Sequence, residues 1–151
     1  VPGEQTIPGE QPGPGEQTGP GGPGSMVERY LERLVALDWA AMAACLSEDV
    51  VRVGPFGDTY TPRDTYVAYL TELMPSLPGY AMRIDRVLHS GAASVVELTE
   101  TIDAGGNPVV TPEVLVFDLA DDGRIAHIAI YIQRLGEVPR LPPRRGGRGD
   151  G

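Results

Sequence analysis

Lysine is absent from this chain of 151 residues, and cysteine occurs once, at Cys45. Without lysine, no Schiff base can form on a side-chain amine. All 12 cations are arginines, which stay protonated near neutrality and cannot act as general bases. A single cysteine excludes an internal disulfide. Together with the two distant histidines, His89 and His127, it offers no zinc-ligand spacing, so no metal or other cofactor is expected. No apolar run approaches the ~18 residues of a membrane span. No basic-then-apolar leader opens the sequence. The expectation is therefore a cytoplasmic protein with no membrane partner. Cations are also outnumbered: the net charge is -9 and the pI about 4.6. Such a chain repels phosphate backbones, so no nucleic-acid partner is expected.

Proline and glycine are abundant, and they concentrate at the ends. PGEQ recurs at Pro2, Pro8 and Pro14, with Pro20 continuing the spacing. Repeats of this kind have almost no side chains to bury and cannot offset backbone entropy. Residues 1–25 are expected to form a disordered tail, either native or derived from an expression vector. Residues 136–151, rich in Pro, Arg and Gly, are expected to form a second one. A single domain over 26–135 lies between them.

Within that domain the hydrophobic period changes from helical to strand-like. From Met26 to about Cys45, Val27, Tyr30, Leu31, Leu34, Leu37 and Met42 fall at helical spacing, with Glu28, Arg29, Glu32 and Arg33 on the other side. Asp38 breaks the pattern and can cap a second helix, Trp39 to Leu46. Ser47-Glu48-Asp49 is expected as a turn, Val50–Val53 as a short strand, and Gly54-Pro55-Phe56-Gly57 as a loop. A helix follows from Pro62 to about Met74, with Thr61 as its N-cap. Four strands complete the domain: Tyr80–His89, Ala93–Ile102, Val109–Leu119 and Ile125–Arg134. Short turns join them, so neighbours should pair antiparallel. Helices first and a meander afterwards predicts an α+β fold.

This order resembles the nuclear transport factor two-like superfamily, in its SnoaL-like, limonene epoxide hydrolase and steroid delta-isomerase branches. The landmarks are Arg29-Tyr30, Ser47-Glu48-Asp49-Val50, Gly54-Pro55-Phe56-Gly57, Thr111-Pro112 and Asp122-Gly123-Arg124-Ile125. The resemblance implies a cone-shaped, curved, mostly antiparallel sheet. N-terminal helices would pack on its concave face and enclose one pocket. It also implies that Tyr30 matches a tyrosine that hydrogen-bonds the substrate oxygen in the isomerases. Their proton-shuttling aspartate, however, corresponds to Gly54, and their late-strand aspartate to about Leu115. In the epoxide hydrolase relay, Asp103 matches one carboxylate, but the arginine position is Thr101 and the other carboxylate is Ile130. Neither catalytic set is complete.

The resemblance puts Thr101, Leu115 and Ile130 in the pocket, and strand alternation extends each set. Glu97, Thr99 and Asp103 go with Thr101, Glu113 and Phe117 with Leu115, and Ile128 and Ile132 with Ile130. Phe56 is added from the loop. Among so much hydrocarbon, Glu113 would be desolvated and its pKa raised, which suits a proton shuttle. The candidate catalytic groups are therefore Tyr30, Glu113 and Asp103. Each also has a plainer alternative: a core tyrosine, a solvated strand-end acid and a turn acid, respectively. Glu97, Thr99 and Thr101 could equally be a solvent-facing stripe, with Val96, Leu98 and Ile102 buried instead. His127, Tyr131 and Gln133 fall on the outer face, where the resemblance implies a homodimer contact. The expected activity is cofactor-free proton transfer on a hydrophobic, oxygenated small molecule, polyketide- or terpenoid-like. The alternative is a non-catalytic ligand-binding module.

Overall fold

The computed structural model describes residues 23–133. The expected tails therefore lie outside the described residues, apart from Pro23 to Ser25. Those three begin helix α1 (Pro23–Val35), which starts ahead of the expected Met26. Its buried face is Val27, Tyr30, Leu31 and Leu34, whereas Leu37, expected to continue that face, lies beyond the helix end and is exposed. The helix closes with two backbone bonds, Leu37 N–H to Leu34 O and Asp38 N–H to Arg33 O, both 3.0 Å. That is a Schellman ending, and it puts Leu37 in the left-handed region at φ 56°. Asp38 then caps α2 (Trp39–Ala44) by accepting a hydrogen bond from the Ala41 amide at 3.2 Å.

Strand β1 (Leu46–Val53) is longer than expected. Ser47-Glu48-Asp49 lies inside it and is not a turn. An irregularity in the pairing between Leu46 and Val51 absorbs the polar residues without ending the strand. Strand β2 (Thr59–Tyr60) is an added hairpin partner. Helix α3 (Arg63–Leu73) begins after Pro62, and Thr61 supplies no side-chain cap. A 3-10 turn over Met74–Ser76 leads into β3 (Ala81–Ser90), β4 (Ala93–Ala104), β5 (Asn107–Leu119) and β6 (Ile125–Ile132).

The six strands form one sheet in the order β2-β1-β6-β5-β4-β3. All pairings are antiparallel except β1 with β6, which run parallel. The four long strands are where the sequence puts them. They curve at irregularities between Ile84 and Arg86 and between Asp118 and Leu119. The fold is the curved, unclosed sheet with N-terminal helices that the resemblance implies. The core lies between the helices and the inner face, where Val96, Leu98, Leu115, Phe117, Ile125 and Ile128 meet Tyr30, Leu31 and Met42. Tyr30 packs edge-on against Phe117, ring centroids 5.8 Å apart. Cys45 is a buried core residue, as expected.

A leucine in the left-handed region costs about 1–2 kcal/mol of backbone strain. Leu37 is also 43% exposed, so little packing offsets that cost. Leu37→Gly should raise unfolding stability by about 1 kcal/mol in denaturant melts, since glycine takes this conformation freely. Destabilisation instead would show that the half-exposed leucine packs more strongly than its backbone strains.

Candidate functional site

The pairing of β4 with β5 decides which side chains face the helices. Val96 sits opposite Leu115, and Leu98 opposite Glu113. Residues opposite one another share a face. The inner face of β4 is therefore Ser94, Val96, Leu98 and Glu100. Glu97, Thr99, Thr101 and Asp103 lie on the other side, which corrects their expected place in the pocket wall. Their partners agree. Glu97 holds Arg86 through two bonds of 2.9 and 2.6 Å, and Thr99 donates to Asp85 at 2.8 Å. Asp103 accepts from the Gly106 amide at 2.8 Å in the β4–β5 turn, which is the plainer of its two expected roles.

Between the helices and the inner face is a cavity of about 130 Å³. Leu31, Leu34, Leu70 and Met74 supply its apolar wall on the helix side, Leu115 and Ile130 on the sheet side. Of the expected pocket residues it brings together Tyr30, Glu113, Leu115 and Ile130. Phe117 and Ile128 are fully buried in the core behind it. Ile132 lies at the strand end and borders the opposite face. Phe56 is 71% exposed, and its neighbour Pro55 lines the cavity instead.

Two polar groupings face this cavity. In the first, Tyr80 donates a 2.5 Å hydrogen bond to Glu100, which lies diagonally across the strand pair from Glu113. Burial first, then the charge of Glu100 and a hydrogen bond shared with it, push Glu113 from 4.5 up to about 8, against an opposing pull from Arg52. At neutral pH Glu113 therefore keeps its proton beside Glu100. In the second, Tyr30 and Tyr66 join hydroxyl to hydroxyl at 2.5 Å, both rings buried. Burial and the neighbouring Tyr66 raise the Tyr30 pKa well above its ordinary value, so it stays a neutral donor. Arg52 completes this side, paired with Asp58 at 2.7 Å.

Sequence reading missed Glu100, Arg52 and Tyr80. Glu100 could have been found by alternation from Val96 and Leu98. Arg52 sits in a strand whose length was underestimated. Gly54, aligned with the isomerase base, also has a structural reason to be glycine. A Cβ there would meet the Asp58 carboxylate at 2.3 and 2.5 Å and Arg52 Nη1 at 2.6 Å.

A wider trough of about 460 Å³ crosses the opposite face of the sheet, along Asp85, Glu97, Val114, Tyr131 and Gln133. Glu113 borders this trough as well as the smaller cavity, while Asp85 and Glu97 are tied to Arg83 and Arg86 on the surface. The smaller cavity brings Glu113 together with Glu100, Tyr30 and Tyr80. Among the described residues no cluster of His, Cys, Asp and Glu could hold a metal ion. No described helix is long and apolar enough to cross a membrane.

The SnoaL-like domain model matches residues 27–128. A candidate SnoaL-like polyketide cyclase from Shewanella denitrificans OS-217 superposes with a TM-score of 0.67 at 12% identity, over 74% of this chain and 90% of that one. A candidate ketosteroid isomerase from Kribbella flavida DSM 17836 gives 0.66 at 21% identity, over 84% and 89%. An LEH-like epoxide hydrolase from M. tuberculosis gives 0.63 at 26% identity, over 72% and 80%. No curated protein sequence matches the chain.

The raised pKa of Glu113 links pH to stability. The folded chain keeps this proton between pH 4.5 and about 8, where the unfolded chain has lost it. Its contribution is therefore fully present below pH 4.5 and is lost as pH rises to about 8. Glu113→Gln cannot ionise, so its melting temperature should match the parent near pH 5 and exceed it by about 10 °C at pH 9, after allowance for partial exposure. Parallel pH profiles in thermal melts would place Glu113 in water.

Proposed function

The chain belongs to the SnoaL-like domain family, and from that premise we propose an enzyme that moves protons, without a cofactor, on a hydrophobic, oxygenated small molecule. The observation that carries this reading is the Glu100–Glu113 pair, with Glu113 holding a proton to about pH 8, on the wall of the cavity. A shared proton can be given at one substrate atom and regained from another, which returns the pair to its starting state. That serves isomerisation, cyclisation or epoxide opening alike. Glu113, protonated at neutrality, is the acid. Glu100 is the base, steadied by the Tyr80 hydroxyl. The Tyr30–Tyr66 pair supplies a donor for the substrate oxygen. The cavity is close in size to the ~150 Å³ space that takes up benzene in another protein. About one ring of a polyketide- or terpenoid-like substrate would be held there.

Proton transfer can be read directly. Deuterium uptake by cyclohexanone in D2O and opening of cyclohexene oxide are both followed by NMR. At least one should be accelerated, and Glu113→Gln should lower that rate about 10²–10⁴-fold while the fold melts normally. The rate should fall above pH 8 as Glu113 loses its proton. Probes that bind without either reaction would identify a non-catalytic binding module instead.

For the outer face we propose a second copy of this chain as partner. Val95, Val114, Val116, Ala129 and Tyr131 make an apolar strip across three strands by pairing register. It is flanked by the internally neutralised Arg86–Glu97 pair and by His127, 3.7 Å from Asp118, with Gln133 at the strip's end. Such a face complements itself across a two-fold axis. Sedimentation should report a dimer, and Tyr131→Arg, at a position 61% exposed, should yield a folded monomer. A wild-type monomer at high concentration would remove this partner.

A further inference from the structure

Glu100 and Glu113 give the cavity an electrical character that proton transfer alone does not use. Both border it, both are half-buried, and the β4–β5 register puts them on one wall. Arg52 borders it too, but its Nη1 lies 2.7 Å from the Asp58 carboxylate, and that pair is neutral as a whole. Among the described residues no further acid or arginine borders the cavity. Its wall therefore carries the single negative charge of Glu100, joined by that of Glu113 above about pH 8. The rest of the lining is the tyrosines Tyr30, Tyr66 and Tyr80 and hydrocarbon such as Leu70, Leu115 and Ile130.

A carboxylate drawn partly out of water attracts a cation more strongly than one in bulk solvent, because the local dielectric is lower. The other walls decide which cation fits. A metal ion needs several oxygens around it, and no such cluster occurs among the described residues. A primary ammonium brings three N–H donors. The hydroxyls that could help Glu100 receive them are already committed, Tyr80 to Glu100 itself and Tyr30 to Tyr66. A quaternary ammonium has no donor to satisfy, and aromatic rings attract it. We propose that the cavity is a binding site for a small quaternary ammonium ion, about one ring in size, held by Glu100 among tyrosines and leucines. This goes beyond the proton-transfer reading. The cation would lie against the group that reading makes the base, so it would compete with the ketone for the cavity.

The test titrates the full chain by NMR with N,N-dimethylpiperidinium, whose charge is fixed, and with 1,1-dimethylcyclohexane, which has the same shape and no charge. The cation should move the methyl signals of Leu70 and Leu115, which line the cavity. Glu100→Gln keeps the shape of the wall and removes its charge. It should weaken the cation about tenfold and change the hydrocarbon about twofold or less. Between pH 6 and pH 9 the wild-type chain should bind the cation about tenfold more tightly, as Glu113 loses its proton. The groups around Glu113 are Glu100 on β4, Arg52 on β1, Tyr80 ahead of β3, and Tyr30 and Tyr66 on the helices, with Asp85 and Glu97 on its trough side. Glu113 alone among them is pushed to a value inside that pH range, up to about 8. Should Glu100→Gln not fold, the pH series decides the matter. Equal cation affinity in Glu100→Gln, an affinity that does not rise with pH, or shifts confined to surface residues would overturn the site. The cation should also slow deuterium uptake by cyclohexanone in competition with it. Deuterium uptake without cation binding would sink this site and leave the proton-transfer reading standing. Cation binding as described, without deuterium uptake or epoxide opening, would uphold the site and sink that reading.

Discussion

The register between β4 and β5 is the constraint on which the site depends. With Leu98 opposite Glu113, the even-numbered side chains of β4 face the helices. That single alignment puts Glu100 diagonal to Glu113, inside reach of Tyr80, and leaves Glu97 and Thr99 to the surface pairs with Arg86 and Asp85. A slip of one residue would exchange the two sets. The buried acids would then be solvated and the surface acids buried beside Leu115. Register is held here by the burial of Val96 and Leu98, both essentially inaccessible, against Leu115 and Phe117. Packing of hydrocarbon thus fixes the position of the groups that carry protons.

The sheet and helices were legible because their periods are strong and their turns carry glycine at positive φ, as at Gly91 and Gly123. On β5 and β6 the alternation was also read in the right phase, which is why Glu113, Leu115 and Ile130 were found. On β4 the phase was taken from the epoxide hydrolase match at Thr101, and it came out one residue off. The strand's own pattern, Val96 and Leu98 apolar with Glu97 and Thr99 polar, was the better guide. It lost because Glu100, a charged residue, continues the buried face. A buried acid makes sense only once its partner is known, and that partner is thirteen positions away on another strand. Arg52 was legible as a strand residue but not as part of the site, because its environment comes from β1, β2 and α3 at once.

Two half-buried carboxyls side by side weaken the folded state wherever both would ionise. The fold tolerates the pair because one proton remains on it, Tyr80 bonds one oxygen, and Arg52 lies near enough to draw Glu113 down somewhat. The arrangement is better suited to exchanging a proton than to holding the domain together. The apolar contacts around Tyr30, Phe117 and Ile128 bear that second task. Stability and reactivity are therefore divided between adjoining layers of the same inner face.

The glycine at position 54 limits what this lineage can become. The volume a side chain would need there already contains the Asp58 carboxylate and one end of Arg52. An acid at residue 54 and the buried guanidinium at residue 52 compete for one space. An acid entering at residue 54 must push these two side-chain ends aside, so a change on the loop is felt at once in β1.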